Sequence, residues 1–165
     1  MYQKAFPIGL IIGLFMALAA CSSTGKLEMT QVKTTAIGVN KTVSLNIVGS
    51  AEMRMMQQLR GDLFGRLVSE KIFVKVLQAN EPADYKLTIT ILETNTVSPV
   101  ARIMLGVLAG SNKLRCNVKL IESATGNLKS SFVVIGESAL HPLSSESGLE
   151  NAVREVVANI IRALR

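Results

Sequence analysis

Apolar and polar side chains alternate along three stretches of the chain, and each alternation predicts a half-buried β-strand. In the clearest, every second residue from Tyr85 to Ile91 is apolar, and the residues between are Lys or Thr. Residues 42–49 and 113–122 alternate in the same way. Successive side chains of a strand point to opposite faces, so the three strands indicate a sheet with one buried and one solvent-exposed face.

Two further strands are indicated by shorter signals. Residues 72–77, IFVKVL, form a compact apolar run, and residues 128–138 follow the turn sequence SATGN. Gly126 in that turn can adopt the positive φ that a tight hairpin requires. We therefore expect a hairpin between the strand that starts at residue 113 and the one that starts at residue 128.

Helical periodicity marks two segments. Residues 51–69 carry apolar side chains three and four apart, which predicts an amphipathic helix with Ser50 as its N-cap. The stripe consists of Met53, Met56, Leu59, Leu63 and Leu67. A longer apolar stripe predicts a second helix at the C-terminal end of the chain. Its members are Leu149, Ala152, Val153, Val156, Val157, Ile160, Ile161 and Leu164.

The order of these elements predicts an α/β fold of the α+β kind, a two-layer sandwich. The sheet is expected to be mixed and mostly antiparallel, with four to five strands and two helices on one face. The sequence of strand, helix and strand from residue 42 to residue 77 implies a parallel crossover. The face away from the helices is expected to be polar and basic.

The N-terminal segment has the pattern of a secretory signal peptide. Lys4 precedes an apolar run that extends from Ala5 to Ala20, and small residues lead to Cys21. Leu18-Ala19-Ala20-Cys21 resembles the lipobox of bacterial lipoproteins, in which the cysteine is acylated and becomes the first mature residue. The sequence therefore predicts a signal peptide over residues 1–20 and a lipid anchor on Cys21.

The chain after the signal is expected to form a short tether and one domain. Residues 21–35 are small and polar without a sustained period, which predicts a flexible tether, and residues 36–165 have the length of a single periplasmic domain. Ser22 resembles the residue found after the cysteine in lipoproteins addressed to the outer membrane. We therefore predict an outer-membrane lipoprotein that faces the periplasm, or a cell-membrane lipoprotein in an organism with one membrane.

Charge and cysteine content narrow the classes of partner. The formal net charge is +6, of which Lys4 contributes one unit. A basic domain at a bilayer favours an anionic polymer or an envelope protein as partner, and nucleic acid is not expected in that compartment. Cys116 is the only cysteine besides Cys21, so no disulfide within the domain is predicted, and we interpret Cys116 as a small buried hydrophobe.

The segment RIMLGVLAGSNKL, residues 102–114, contains no acid and two glycines. It is too short to span a bilayer, which takes roughly 20 apolar residues. The spacing of Gly106 and Gly110 and the position of Lys113 do not fit a phosphate-binding loop. The segment is therefore predicted to connect two strands. Its apolar side chains are either buried under a helix or exposed as a contact for a partner or a membrane.

Candidate contact sites follow from two features. One is the segment of residues 102–114, called the glycine segment below, and the other is the row of basic residues on the predicted strand of residues 113–122. Their residues are Arg102, Gly106, Leu108, Gly110, Lys113, Arg115 and Lys119. No catalytic constellation, metal-ligand spacing or cofactor motif is recognised, and His141 has no evident nucleophile beside it, so an enzyme is not predicted. The leading hypothesis is an interaction or scaffold module. The alternative is a self-assembling subunit of an outer-membrane assembly or secretion complex, with a hydrolase as a less favoured third.

Several motifs in the domain also occur together in a known family. ADYKLTITI starts a strand at Ala83, an Arg precedes a Gly-rich loop that ends in Ala-Gly-Ser, and a Thr-Gly pair forms the hairpin. These resemble the bacterial lipoprotein family of the domain of unknown function 4410 type, over about residues 43–165. The matching residues are Ala83, Asp84, Arg102, Gly106, Ala109, Gly110, Ser111, Thr125, Gly126 and Gly136. Glu122-Ser123 departs from the family's usual aspartate. The resemblance implies an envelope location and no reaction.

Overall fold

The structure is a computed structural model that describes residues 24–31, 37, 40–105, 110–138 and 147–165. Cys21, Gly106, Leu108 and His141 lie outside the described residues. The backbone of Arg102 is described and its side chain is not.

Six strands and three helices make up the described part of the chain. They are β1 (Thr24–Gln31), β2 (Thr42–Val48), α1 (Met53–Ser69), β3 (Lys75–Gln78), β4 (Tyr85–Asn95), α2 (Pro99–Leu105), β5 (Lys113–Glu122), β6 (Leu128–Glu137) and α3 (Ser147–Leu164). The six strands form one open sheet in the order β1-β6-β5-β4-β2-β3. β2 is parallel to β3 and to β4, and the remaining neighbours are antiparallel. The predicted α+β two-layer sandwich is confirmed.

The core lies between one face of the sheet and the helices α1 and α3, which also contact each other. The register of the strands explains why one face of the sheet is apolar. Residues opposite each other point to the same face, and apolar residues face apolar ones, as Val43 does Tyr85 and Ile89 does Val118. Cys116 lies on the same face and is fully buried, and burial raises the pKa of its thiol to about 12. Its interpretation as a small core hydrophobe therefore agrees with the structure.

α3 packs directly against β6 at a glycine. A Cβ atom built on Gly136 would lie 2.1 Å from the carbonyl oxygen of Ala152 and 2.9 Å from Cγ2 of Val156. Only a residue without a side chain allows this approach of helix backbone to strand. The hairpin turn between β5 and β6 has Gly126 at a φ of 71°, as its sequence predicts.

The sheet has six strands rather than four or five because the segment predicted as a tether contributes one. Thr24–Gln31 forms β1, which pairs antiparallel with β6 from the Thr24–Glu137 pair onward. The apolar alternation of this segment is limited to Leu27 and Met29, which is too short to predict a strand, and its pairing satisfies backbone groups at the edge of β6.

Two local details also differ from the sequence expectations. The N-cap of α1 is Glu52 rather than Ser50, without a side-chain hydrogen bond, and Met53 is exposed. The buried stripe is Met55, Leu59, Leu63 and Leu67, spaced four apart. The glycine segment overlaps a short helix, α2, which was not predicted.

Candidate functional sites

The sheet face away from the helices carries the predicted basic residues. Lys113, Arg115 and Lys119 alternate with the buried residues of β5, and Lys119 is exposed. Lys86 of β4 is also exposed and lies on the same face, because Thr88 two residues further on pairs with Lys119. The structure therefore brings together three of the predicted contact residues and adds Lys86.

Neighbouring acids reduce the free charge of this basic face at one end. The Nζ atom of Lys113 lies 3.8 Å from Oε1 of Glu93, which is paired with Arg115 in the strand register. Arg115 is partly buried and has interactions of its own. Lys86 and Lys119 are therefore the exposed cations of the face that are best placed to contact an anion.

The connection between β4 and β5 is held by buried polar groups at its base. The backbone N–H of Val97 donates to Oδ1 of Asn112 over 2.7 Å. The N–H of Asn112 donates to Oγ of Ser138 over 3.0 Å, and the N–H of Ser138 donates to the Asn112 carbonyl over 2.9 Å. Asn112 and Ser138 are both buried. These bonds fix the position of the connection against β6.

α2 projects from this base with apolar side chains in contact with water. The exposed fractions are 64% for Val100, 79% for Met104 and 55% for Leu105. For Met104 and Leu105 the two alternatives left open by the sequence are thus resolved in favour of exposure. Gly110, at the far end of the connection, is exposed with a φ of 83° and open space around it. A cluster of large exposed apolar side chains is a common sign of a contact surface.

A second exposed apolar surface lies beside β3, at one edge of the sheet. We call it the β3-side patch and define it as Phe64, Val68 and Val74, whose exposed fractions are 46%, 45% and 63%. Phe64 and Val68 are one helical turn apart on α1 and share a face. Val68 and Val74 line one surface depression, and Phe64 lines another together with Val76 and Leu77. The patch thus borders the edge strand.

The opposite end of the sheet from α2 contains a hydrogen-bonded junction centred on Asp84. The carboxylate oxygen Oδ2 accepts from the Thr42 N–H at 2.8 Å and from the Thr42 hydroxyl at 2.9 Å, and Lys41 Nζ lies 3.2 Å from Oδ1. The Asp84 carbonyl accepts from the N–H of Ser123 over 2.8 Å. The junction therefore joins the start of β2, the start of β4 and the end of β5.

These contacts give the junction a structural role. The hydrogen bonds from Thr42, followed by the contact with Lys41, hold the pKa of Asp84 below its ordinary value. The pKa of Glu122, at the same end of the sheet, is lowered by hydrogen bonds from Thr125 and Lys129. Both carboxylates favour the ionised form, which is the opposite of what a general acid needs at neutral pH.

Asp84→Asn is expected to lower the melting temperature at neutral pH because the amide cannot replace the charged contacts. A folded-state pKa below the unfolded one stabilises the fold at pH values above the unfolded pKa, and the gain is lost as pH falls through the folded pKa. The difference in melting temperature between the two proteins should therefore be constant from pH 5 to 8 and shrink below about pH 4. Circular dichroism melts across pH check this.

Asp62→Asn in α1 is the matched control, because it removes the same charge far from the Asp84 junction. If the difference in melting temperature between Asp84→Asn and the wild type does not shrink in acid, the lost stability does not come from the ionised form of the Asp84 carboxylate.

Two further findings concern the described residues. Within residues 24–31, 37, 40–105, 110–138 and 147–165, no group of three His, Cys, Asp or Glu side chains could hold a metal ion. None of the helices in those ranges is long and apolar enough to cross a bilayer.

Sequence reasoning missed the β3-side patch and the helix α2, and it left open whether Met104 and Leu105 are buried or exposed. Phe64 lies beside Met53 at the margin of the predicted stripe, and both are exposed because the helix buries the stripe that begins at Met55. No signal in the sequence separates the exposed Met104 from the buried Met55, because burial depends on how the helix that carries each residue packs.

Comparison with known proteins gives one family match. The model of the domain of unknown function DUF4410 matches residues 49–142, more than half of the chain. Among curated proteins, none matches.

Solved structures of the PelC dodecamer share the fold. The PelC dodecamer from Paraburkholderia phytofirmans is 16% identical, with a TM-score of 0.60, and the match covers 86% of this chain and 97% of that chain. A point variant of the same dodecamer is 17% identical with a TM-score of 0.59 and the same coverage. A candidate lipoprotein from Caulobacter crescentus CB15 is 25% identical, covers 73% of this chain and 86% of its own, and has a TM-score of 0.39.

Proposed function

The chain belongs to the DUF4410 family, and from that premise we propose that it is a lipid-anchored, non-catalytic subunit of the bacterial envelope that assembles with copies of itself. The lipobox-like residues before Cys21 support the anchor. Two acyl chains or more hold a protein stably at a bilayer, whereas one holds it only marginally. Ser22 supports an outer-membrane location with the domain in the periplasm.

The observation that carries self-assembly is an apolar patch beside the edge of an open sheet. Among the described strands, β3 pairs with β2 alone, so one edge of β3 is unpaired, and the β3-side patch adjoins it. Unpaired edges and exposed apolar side chains are both surfaces on which a second chain can pack. That a protein of the same fold forms a dodecamer supports the same proposal.

We propose that the contact between copies joins two different surfaces. The two edges of the open sheet, β1 and β3, lie on opposite sides of the domain. A contact that joins different surfaces of neighbouring copies produces a ring when the rotation between copies closes. We therefore expect a cyclic assembly in which the β3-side patch supplies one of the two surfaces.

The test is the mass of the purified, acylated protein in detergent, measured by light scattering on a sizing column. The wild type is expected to elute as a multiple of the monomer. Phe64→Glu combined with Val74→Glu should shift it to the monomer, because each change places a charge in an apolar contact. Both residues are exposed in the single chain, so the double variant should still fold.

Lys119→Glu is the matched control for this test, because it changes the charge on the other side of the sheet. It should leave the mass unchanged. A monomeric wild type would contradict self-assembly, and an unchanged mass for the double variant would exclude the β3-side patch. If Lys119→Glu shifts to the monomer mass and the double variant does not, the contact between copies lies on the basic face.

A second candidate function rests on the basic face. The exposed cations Lys86 and Lys119 lie on one surface, which suits an anionic polymer or an acidic envelope protein. Of the other predicted contact residues, Arg102, Gly106, Gly110 and Leu108 belong to the connection that contains α2, so they are expected to serve a different contact.

A further inference from the structure

The strand register places α2 and the start of β1 at the same end of the sheet. Thr24, the first residue of β1, lies opposite Glu137 of β6, and Glu137 lies opposite Lys113 of β5. Lys113 in turn lies opposite Asn95, the last residue of β4. Because α2 belongs to the connection between Asn95 and Lys113, it projects from the end of the sheet at which β1 begins.

Covalent geometry then limits how far this end can be from an acylated Cys21. Thr24 follows Cys21 by three positions along the chain, and an extended chain covers at most about 11 Å over three Cα–Cα steps. β1 and β5 are two strand spacings apart, which is roughly 10 Å. An anchor on Cys21 would thus hold the α2 end of the domain, and not the Asp84 end, close to the bilayer surface.

The chemistry of this end suits the interface of a bilayer. Val100, Met104 and Leu105 are exposed on α2. No acid occurs between Thr94 and Leu114, a stretch that contains Arg102 and Lys113, and the acids nearest to it in the strand register are Glu93 and Glu137, beside Lys113. Interfacial segments combine apolar side chains, which enter the boundary between headgroups and acyl chains, with basic residues that attract anionic headgroups.

At the other end of the sheet lie the carboxylates of Asp84 and Glu122, which are paired with Lys41 and Lys129. The exposed hairpin there, residues 123–127, consists of small and polar residues and offers no large apolar side chain to a bilayer. The two ends are separated by the length of β5, which has ten residues and is therefore about 30 Å long.

We propose that α2 is a second membrane contact, which enters the headgroup region of the leaflet that holds the acyl chains of Cys21. This proposal rests on the lipid anchor of the proposed function and adds an orientation to it. The domain stands on the α2 end of its sheet, with the Asp84 junction directed away from the bilayer.

Site-specific quenching by lipids tests this orientation. A fluorophore is attached to Met104→Cys in the acylated protein and, in a second sample, to Ala124→Cys in the exposed hairpin at the far end of β5. Burial raises the pKa of the Cys116 thiol to about 12, so Cys116 does not compete for the label. Both proteins are placed in phosphatidylethanolamine–phosphatidylglycerol vesicles that contain headgroup-proximal doxyl lipid.

The expected result is a fluorescence loss of about two-fold or more at position 104 and little loss at position 124, because only α2 lies within reach of the quencher. Replacement of phosphatidylglycerol by phosphatidylcholine, or Val100→Glu in the labelled chain, should reduce the loss at position 104. Equal quenching at both positions, or none at either, in protein that floats with the vesicles would overturn the α2 contact while the anchor stands.

Two other outcomes identify different failures. Protein that carries no acyl mass and does not float with the vesicles would overturn the lipid anchor of the proposed function, and with it this orientation, but would not overturn self-assembly. If the probe at position 104 is shielded from water in detergent and is insensitive to the lipid quencher in vesicles, α2 lies in the contact between copies. That result would overturn the membrane contact.

Discussion

Gly136→Ala is expected to destabilise the domain by about 3 kcal/mol or more, which is the upper range for an overpacked core. The added methyl group would lie 2.1 Å from the Ala152 carbonyl oxygen and 2.9 Å from Cγ2 of Val156. The first of these atoms belongs to the backbone of α3, so no side-chain rotation relieves the clash and the helix must move away from β6. Urea unfolding followed by circular dichroism at 222 nm measures the loss.

Gly65→Ala is the matched control for this prediction. Gly65 lies within α1, and an added Cβ would have no atom within 4 Å. Alanine in an exposed helix interior is favoured over glycine by about 0.5 to 1 kcal/mol, so this variant should be slightly more stable than the wild type. An unfolding midpoint of Gly136→Ala equal to that of the wild type would show that α3 does not pack on β6 as described.

Cys21→Ser is expected to abolish the incorporation of labelled palmitate and to leave the signal peptide uncleaved. A hydroxyl group is far less nucleophilic than a thiolate, so serine cannot replace cysteine as the acceptor in lipoprotein maturation. The protein should then be found with the inner membrane, retained by its uncleaved apolar segment. Palmitate labelling, intact mass and separation of the two membranes measure these changes.

Cys116→Ala is the control for the second cysteine of the chain. Cys116 is fully buried with a raised pKa, so this variant should keep both the label and the membrane location of the wild type. Palmitate retained by Cys21→Ser would contradict the lipobox interpretation and would leave self-assembly of the domain as a separate question.

Much of the fold was predictable because its core strands have an unambiguous period. β4 as far as Ile91, and β5, bury every second residue, and antiparallel pairing brings the apolar faces together, as in the Leu87–Leu120 pair. The spacing of apolar residues likewise predicted α1 and α3. β1 was not predictable in this way, because its pairing depends on the backbone of β6 rather than on its own side chains.

The candidate sites were predictable only in part. The alternation of β5 places Lys113, Arg115 and Lys119 on one face, which follows from the geometry of any strand. The β3-side patch was not predictable, because it depends on the relative position of α1 and β3, which are separate elements of the chain. The common end of β1 and α2 depends on the register of three strand pairs.

The sequence by itself determined the class of the fold, the wet and covered faces of its strands and the predicted site of lipidation. These properties depend on the order and spacing of residues within single segments. Tertiary structure alone decided that Met104 is exposed while Met55 is buried, that Gly136 meets the backbone of α3, and which end of the sheet adjoins the N-terminal segment. The physical reason is that burial and proximity are created by the pairing of distant segments, for which no local pattern of residues is sufficient.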